Sequence, residues 1–270
     1  MRVAAYQFDV RDGDVDANLA AVERGVELAA RAGAALVVLP EMWPTSFTAQ
    51  VDPDLLARSE RALDRALELS RLCGLTICGS AYGPLDGADK PTNRLHVLDR
   101  GRLAGTYDKV HLFSPTAEPE SFRPGSAPPP TVETSAARLS GAICYDLRFP
   151  ELFRVPFRAG ADLLVLPAQW PDARAAHWEV LAVARAVECQ CFVVACNRTG
   201  TARIGRRRLE LGFPGSSLVA GPDARVHARG SAEEGLVSAE IDLEDARRLR
   251  ARVPIEKDAR RELYGGWVSP

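Results

Sequence analysis

The chain has 270 residues, of which 46% are hydrophobic, and its 34 basic residues nearly balance its 36 acidic ones. The length fits one large α/β domain, and the hydrophobic fraction is sufficient for a sizeable core. A formal charge of -2 at pH 7 leaves no excess of positive charge to neutralise phosphates or to bind an anionic membrane surface, which argues against nucleic acid and membranes as partners.

Short apolar runs alternate with amphipathic stretches along the chain. The runs predict strands over Val3–Phe8, Leu36–Leu39, Leu75–Ser80, Leu95–Leu98, Ala142–Cys144, Leu163–Leu166 and Phe192–Ala195. Helical periodicity predicts helices over Asp16–Arg31, Pro53–Leu72, His177–Glu188 and Leu243–Arg252. Buried strands that alternate with helices are typical of a layered α/β protein.

One segment of this pattern occurs twice. The two copies are residues 33–41 (GAALVVLPE) and residues 160–168 (GADLLVLPA), and each follows a helical stretch. In each copy a glycine ends the helix, a buried strand follows, and a proline ends the strand. The repetition indicates two similar α/β halves within one domain. We therefore expect a single domain over residues 1–252, followed by a C-terminal tail over residues 253–270.

The tail contains Leu263, Tyr264 and Trp267, and these apolar side chains predict that it packs on a neighbouring subunit. The start of the chain, MRVAAYQFDV, alternates like a strand and lacks the pattern of an export signal, and no run approaches 18 apolar residues. Six cysteines without a secretion signal indicate reduced thiols and a cytoplasmic location.

The cysteine and histidine spacings do not suggest a metal site. Cys73 and Cys78 form one loose pair and Cys189 and Cys191 another, but neither pair has zinc-ribbon spacing, and the four histidines are scattered. We therefore expect no metal.

Three reactive residues directly follow strands or extended runs, where α/β sheets place their catalytic groups. They are Glu41, Lys109 and Cys144. Taken one at a time, each residue also has an explanation without function. Glu41 could be a surface loop residue, Lys109 a solvated side chain and Cys144 a small residue of the core. Together they provide a base, a cation for an oxyanion and a nucleophile.

Cys144 lies where a small apolar strand meets a tight turn and a helix that begins near Pro150. A thiol in this position is exposed to substrate, and the backbone N–H of Tyr145 is available to an oxyanion. The base is either His111 or a carboxylate whose pKa is raised by burial.

These motifs resemble those of the nitrilase superfamily of carbon-nitrogen hydrolases, in the segments LVVLPEM, YDKVHLF and ICYDLRFPELFR. The resemblance implies a single-domain, four-layer αββα sandwich that forms homodimers or higher homo-oligomers and needs no metal or organic cofactor. It also implies that Glu41 is the general base, Lys109 the stabiliser of the tetrahedral intermediate and Cys144 the nucleophile. The fourth polar residue is placed at Glu118, with Glu120 as the alternative.

The resemblance further implies hydrolysis of a small linear amide through a thioester, in the manner of an ω-amidase acting on 2-oxoglutaramate or a similar dicarboxylate monoamide. An N-carbamoyl amine or amino-acid amidohydrolase is the enzymatic alternative, and a non-catalytic scaffold of the same fold is the alternative from another class. Tyr145, Trp170, Phe122 and His177 are the expected substrate-binding residues.

Two arginine features have simpler explanations. Arg148 could bind a substrate carboxylate, but an internal ion pair with Asp146 or Glu151 is the expected arrangement. The run Arg206–Arg208 follows a glycine spacing that resembles a phosphate-binding loop, but it lacks the lysine and hydroxyl residue of that motif, so we interpret it as a solvated charge run in a loop.

Overall fold

The computed structural model describes the backbone of residues 1–48 and 51–268 and the side chains of residues 1–48 and 51–264. In chain order the strands are β1 (Arg2–Gln7), β2 (Ala34–Val38), β3 (Thr76–Tyr82), β4 (Asn93–Asp99), β5 (Arg102–Asp108), β6 (Val132–Glu133), β7 (Arg138–Gly141), β8 (Leu163–Ala168), β9 (Phe192–Asn197), β10 (Thr199–Ile204), β11 (Leu209–Pro214), β12 (Leu218–Ala220), β13 (Val226–Arg229) and β14 (Gly235–Glu240). The helices are α1 (Val15–Arg31), α2 (Pro53–Cys73), α3 (Glu118–Ser121), α4 (Pro150–Arg158), α5 (Ala175–Glu188), α6 (Leu243–Arg252), α7 (Ile255–Asp258) and α8 (Arg261–Val268).

Two six-stranded sheets form the centre of the molecule. The first has the order β14-β1-β2-β3-β4-β5 and the second the order β13-β12-β9-β8-β7-β6. The sheets pack face to face through β1 on β9 and through β2 and β3 on β8, while α1 and α2 cover the first sheet and α5 covers the second. This is the four-layer α/β arrangement expected from the sequence.

The two sheets have matching centres. In the first, β1, β2 and β3 are parallel and are joined through α1 and α2. In the second, β7, β8 and β9 are parallel and are joined through α4 and α5. The repeated segments are β2 and β8, the middle strand of each set, so the predicted internal similarity corresponds to two equivalent βαβαβ units.

Local chemistry explains where α1 and α2 begin and end. The carboxylate of Asp14 accepts a hydrogen bond from Ala17 N, and that of Asp52 accepts one from Leu55 N, which caps the free N–H groups of the first turn. Pro53 at the start of α2 needs no N–H partner. Gly74 ends α2 with φ of 66°, a left-handed conformation that favours glycine.

The sequence located the central strands but not the C-terminal ones. The strand predicted at residues 142–144 is wrong in position, because β7 ends at Gly141 and a 3-10 helix begins at Cys144. The strands β10 to β14 were missed, since they are short, or lie in hairpins with polar or exposed faces, and so lack a continuous apolar run. The stretch 200–204, interpreted as part of a loop, is strand β10.

In the tail, Leu263 and Tyr264 are 38% and 39% exposed, and the side chain of Trp267 lies outside the described residues. Within the ranges given above, none of the helices combines the length and the apolar character needed to cross a membrane.

Candidate active site

Glu41, Lys109 and Cys144 come together between the two sheets. Glu41 follows β2, Lys109 follows β5 and Cys144 follows β7. The side chains of Glu41 and Lys109 are each only 1% exposed, and Cys144 is buried. Ionised groups are rarely buried to this extent unless they are paired. The three residues together therefore indicate a functional site more strongly than any one of them does alone.

Lys109 is the centre of a buried ion cluster. Its Nζ donates to Glu41 Oε1 at 2.7 Å and lies 2.9 Å from both carboxylate oxygens of Glu118. Glu118 Oε2 also accepts a hydrogen bond from Phe113 N at 2.6 Å. Glu120, the alternative position for the second glutamate, instead lies on the surface, 4.0 Å from Arg207.

Asn93, the first residue of β4, also belongs to this cluster. Its Nδ2 donates to Glu41 Oε1 at 2.9 Å and lies 3.3 Å from Glu118 Oε1. The residue is fully buried, and its Oδ1 has no hydrogen-bond partner among the described residues. No local pattern in the sequence marks Asn93, because β4 also carries the polar residues Arg94, His96 and Asp99.

Gln169 fixes the other side of Glu41. The Gln169 backbone N–H donates to Glu41 Oε2 at 2.9 Å, and its side-chain Nε2 donates to the Glu41 carbonyl oxygen at 2.8 Å. Gln169 follows β8, and Glu41 follows the equivalent strand β2. The two hydrogen bonds between these residues therefore join the ends of the two equivalent strands. The Gln169 carboxamide is in turn oriented by Arg198, whose Nη1 donates to Oε1 at 3.0 Å.

The turn that carries Cys144 is held by Asp146. Cys144 has φ of 45°, which is strained for a residue with a side chain. Asp146 is fully buried and accepts hydrogen bonds from Ile143 N and from Tyr107 OH, at 3.1 Å and 2.8 Å. His111 donates to the same carboxylate through its backbone N and lies 2.8 Å from it through Nδ1, so His111 supports the turn.

The environment changes the protonation of the site. Burial, and then the charge of Glu41, raise the pKa of the Cys144 thiol well above its ordinary value, although Lys109 acts in the opposite direction. Burial alone would lower the pKa of Lys109, but the charges of Glu118 and Glu41 outweigh it and raise that pKa. Burial also raises the pKa of Glu118. The resting thiol therefore carries its proton and needs a base, and Glu41, whose charge acts directly on the thiol, is in position.

A small cavity of about 20 Å³ borders these groups. Its walls are Glu41, Phe47, Lys109, Phe113, Thr116, Glu118, Cys144, Gln169, Pro171, Ile204, Leu211 and Phe213. The last three belong to the hairpin of β10 and β11, which covers the site. Apart from the ion cluster, Cys144, Gln169 and Thr116, the walls are apolar, so the cavity suits a compact, uncharged group.

The four expected substrate-binding residues do not line this cavity. Phe122 is buried between Phe47 and Tyr82, with ring centroids 5.7 Å and 5.6 Å away, and does not border this cavity. The Tyr145 ring packs on Phe113, at 4.9 Å.

Trp170 and His177 surround Arg148. The Arg148 guanidinium lies 4.7 Å from the Trp170 ring centroid, and its Nη2 lies 3.3 Å from His177 Nδ1. The expected ion pair with Asp146 or Glu151 is wrong, because the Asp146 carboxylate already contacts Ile143, Tyr107 and His111, and no ion pair joins Arg148 to either residue.

Arg206–Arg208 form the exposed turn of the β10–β11 hairpin, as expected of a solvated charge run. Within the described part of the chain, no group of three or more histidine, cysteine or acidic side chains is arranged to hold a metal ion.

Comparisons with known proteins found a matching family model and several relatives. A family model described as carbon-nitrogen hydrolase matches residues 2–251. The 2-oxoglutaramate amidase of Bacillus subtilis (strain 168) is 34% identical over 264 residues, which cover 97% of this chain and 98% of that protein. The deaminated glutathione amidase of Homo sapiens is 36% identical over 262 residues, which cover 91% of this chain and 78% of that protein.

Among solved structures, a mutant amidase from Nesterenkonia sp. AN1 is similar with a TM-score of 0.84 and 27% identity, over 99% of this chain and 97% of that one. It shows covalent addition of the acetamide moiety of fluoroacetamide at the active site cysteine.

Proposed function

Because this chain belongs to the carbon-nitrogen hydrolase family, we propose that it hydrolyses a small linear ω-amide to a carboxylate and ammonia, with Cys144 as the nucleophile. Family membership confirms the resemblance to nitrilase-superfamily hydrolases and the prediction of an enzyme that acts on amides. The observation that carries the proposal is the single buried cluster of Glu41, Lys109, Glu118 and Cys144.

In the proposed first step, Glu41 takes the thiol proton while Cys144 Sγ forms a bond to the amide carbon. The carbonyl electron pair moves to oxygen, and Lys109 Nζ and the Tyr145 N–H stabilise that charge. Lys109 already contacts three carboxylate oxygens, so one of its hydrogen bonds to Glu118 has to be exchanged for the oxyanion.

Collapse of this intermediate breaks the carbon-nitrogen bond. The nitrogen takes the proton held by Glu41 and leaves as ammonia, and a thioester remains on Cys144. Glu41, with Glu118 beside it, then removes a proton from water, which attacks the thioester. The acid leaves, and the proton returns to the thiol, so the enzyme is regenerated after two moderate barriers.

Similarity to the 2-oxoglutaramate amidase supports this choice of substrate, because the similar region covers nearly all of both chains. The cavity also favours a substrate whose amide end enters alone. 2-Oxoglutaramate or a related dicarboxylate monoamide meets this condition, since its amide is at the end of an unbranched chain. Deaminated glutathione, named for the human relative, is a bulkier candidate.

The test is ammonia release from 2-oxoglutaramate, succinamate, glutaramate, N-carbamoyl compounds and simple nitriles, together with release of the peptide amine from deaminated glutathione, whose amide nitrogen is substituted. Turnover restricted to ω-amides and abolished in Cys144→Ala is the expected result, while Cys73→Ala, a cysteine at the end of α2, keeps wild-type rates. If only the N-carbamoyl compounds are hydrolysed, the protein is instead an N-carbamoyl amine or amino-acid amidohydrolase. Absence of all turnover, with no alkylation of Cys144, would favour the scaffold.

We also propose that the hydrolase domain comprises residues 1–252, that the tail packs at a subunit interface and that the protein is a cytoplasmic homodimer or higher homo-oligomer. Six free cysteines support a reducing compartment. Support for the interface comes from a cavity of about 650 Å³ that lies between α4 and the C-terminal segment, lined by residues such as Arg154 and Tyr264. Val155, Val180 and Val187 are exposed on α4 and α5, in the layer that covers the second sheet.

A further inference from the structure

The cavity has no positive charge to spare for the distal carboxylate of a substrate. Lys109 is the only cation among the described residues that line it, and Lys109 is surrounded by Glu41 and Glu118. A carboxylate placed inside would be desolvated beside two acidic groups, which is unfavourable without a partner of its own. A dicarboxylate monoamide must therefore keep its free carboxylate at the rim of the cavity.

Arg174 lies at this rim. Its guanidinium is 5.8 Å from the ring centroid of Phe113, a cavity wall residue. Its backbone is fixed, because the Trp170 Nε1–H donates to the Arg174 carbonyl oxygen at 2.8 Å. Pro171, in the same short segment, is itself part of the cavity wall. The Arg174 backbone is thus fixed next to the cavity wall, and its exposed guanidinium lies close to the Phe113 ring.

Arg148, from the turn that carries Cys144, places a second cation against this segment. It lies against the Trp170 ring, and its polar neighbour His177 carries no negative charge. Contacts with an aromatic face leave the N–H groups of a guanidinium available to a carboxylate. Among the residues with described side chains, no carboxylate forms an ion pair with Arg148 or Arg174.

The nearest acidic residue in sequence does not neutralise Arg174. Asp172 accepts a hydrogen bond from Ala173 N and lies against Gly212 of the hairpin, where a Cβ on that glycine would come within 2.5 Å of Asp172 Oδ2. Its carboxylate is therefore held toward the hairpin.

We infer that Arg174, with Arg148 beside it, is the specificity-determining subsite that binds the distal carboxylate of the ω-amide substrate. The inference rests on the proposed amidase function. A guanidinium provides two parallel N–H donors that match a carboxylate, and an arginine already packed on an aromatic ring loses little further freedom on binding. The amide end would then extend past Phe113 and Pro171 toward Cys144.

The test compares glutaramate with pentanamide, which has the same chain length but no charge. In Arg174→Gln we expect kcat/KM for glutaramate to fall about tenfold or more, mainly through KM, because a charged hydrogen bond is lost. The value for pentanamide should stay within about twofold of wild type, as no interaction with that substrate is removed. Arg148→Gln should show a smaller loss of the same selectivity, and replacement of Arg61, an exposed arginine of α2, by glutamine should cause no loss. An equal loss on both substrates, or no loss on glutaramate, would overturn the subsite.

A second measurement does not depend on turnover. Pentanoate, whose single carboxylate can bind at the rim while its apolar end points toward the cavity, should protect Cys144 of the wild type from alkylation by iodoacetamide, and this protection should disappear in Arg174→Gln. If the wild type hydrolyses neither amide, the proposed function fails while protection by pentanoate still supports a carboxylate-binding site at Arg174. If both amides are hydrolysed but pentanoate protects wild type and Arg174→Gln equally, the subsite fails while the proposed function stands.

Discussion

Asn93 determines how two buried carboxylates coexist beside one ammonium group. Glu41 and Glu118 share Lys109, and the two N–H groups of the Asn93 amide face one carboxylate each. Without that amide, part of the negative charge would be buried with no donor, which is costly in a site of low polarity. Asn93 touches both carboxylates but does not line the cavity, so we regard it as a positioning residue.

Replacement of Asn93 by alanine should therefore lower kcat about 10- to 100-fold with little change in KM, because donors to charged groups are worth roughly 1.5–3 kcal/mol. The pH dependence of Cys144 alkylation should also shift, which a general loss of packing would not cause. Asn93→Asp should be worse than Asn93→Ala in activity and in urea stability, since it adds a third buried carboxylate. Wild-type kcat in Asn93→Ala would contradict this role.

Strand β4 carries both Asn93, which contacts the buried ion cluster around Lys109, and His96, which affects the stability of the first sheet. It lies between β3 and β5, begins at Asn93 and carries His96 three residues later. His96 Nδ1 is buried without a hydrogen-bond partner among the described residues. Burial, with a contribution from the charge of Arg94, lowers the pKa of His96 to about 4. The folded state therefore holds this histidine neutral while the unfolded chain protonates near its ordinary value.

The sign of the pH effect follows from this difference. As the pH falls from about 6.5 to about 4, the unfolded state binds a proton that the folded state does not, so the free energy of unfolding decreases, by up to about 3 kcal/mol. Below about 4 this contribution stays constant. His96→Gln should reduce the pH dependence of urea unfolding between pH 6.5 and 4, whereas His177→Gln, on an exposed residue, should not. An unchanged slope in His96→Gln would show that His96 is not the group responsible.

At the scale of the whole molecule, both outer helix layers leave apolar side chains exposed, but the layer over the second sheet also borders a large cavity. The layer over the second sheet carries Val155, Val180 and Val187, and Val180 is 67% exposed. The adjacent cavity between α4 and the C-terminal segment is large enough to receive side chains of another subunit. An isologous dimer through this layer would cover both features at once.

Val180→Asp should accordingly shift the protein toward monomer, since a charge in the centre of such an interface costs several kcal/mol. The measurement is the molar mass by light scattering across a concentration series. Leu72→Asp provides the control, because Leu72 is 57% exposed at the end of α2, on the opposite outer layer. A mass that is unchanged in Val180→Asp, or halved in Leu72→Asp, would place the interface elsewhere.

The sequence alone determined the features that depend on a few neighbouring residues. Apolar runs located the central strands β1, β2, β3, β8 and β9, because a strand buried on both faces has to be continuously apolar. The three motifs around Glu41, Lys109 and Cys144 indicated the chemistry, because each reactive residue follows a strand or an extended run. The repeat of residues 33–41 at 160–168 indicated the two equivalent halves.

Only the tertiary structure decided which more distant groups meet at the site. Glu118 and Glu120 are two residues apart and chemically identical, yet the turn of α3 buries the first beside Lys109 and leaves the second at the surface. Asn93 and Gln169 contact Glu41 from different sheets, and no local pattern marks them. The physical reason is that such contacts depend on how two sheets pack and where their strands end, and periodicity along one strand carries no information about either.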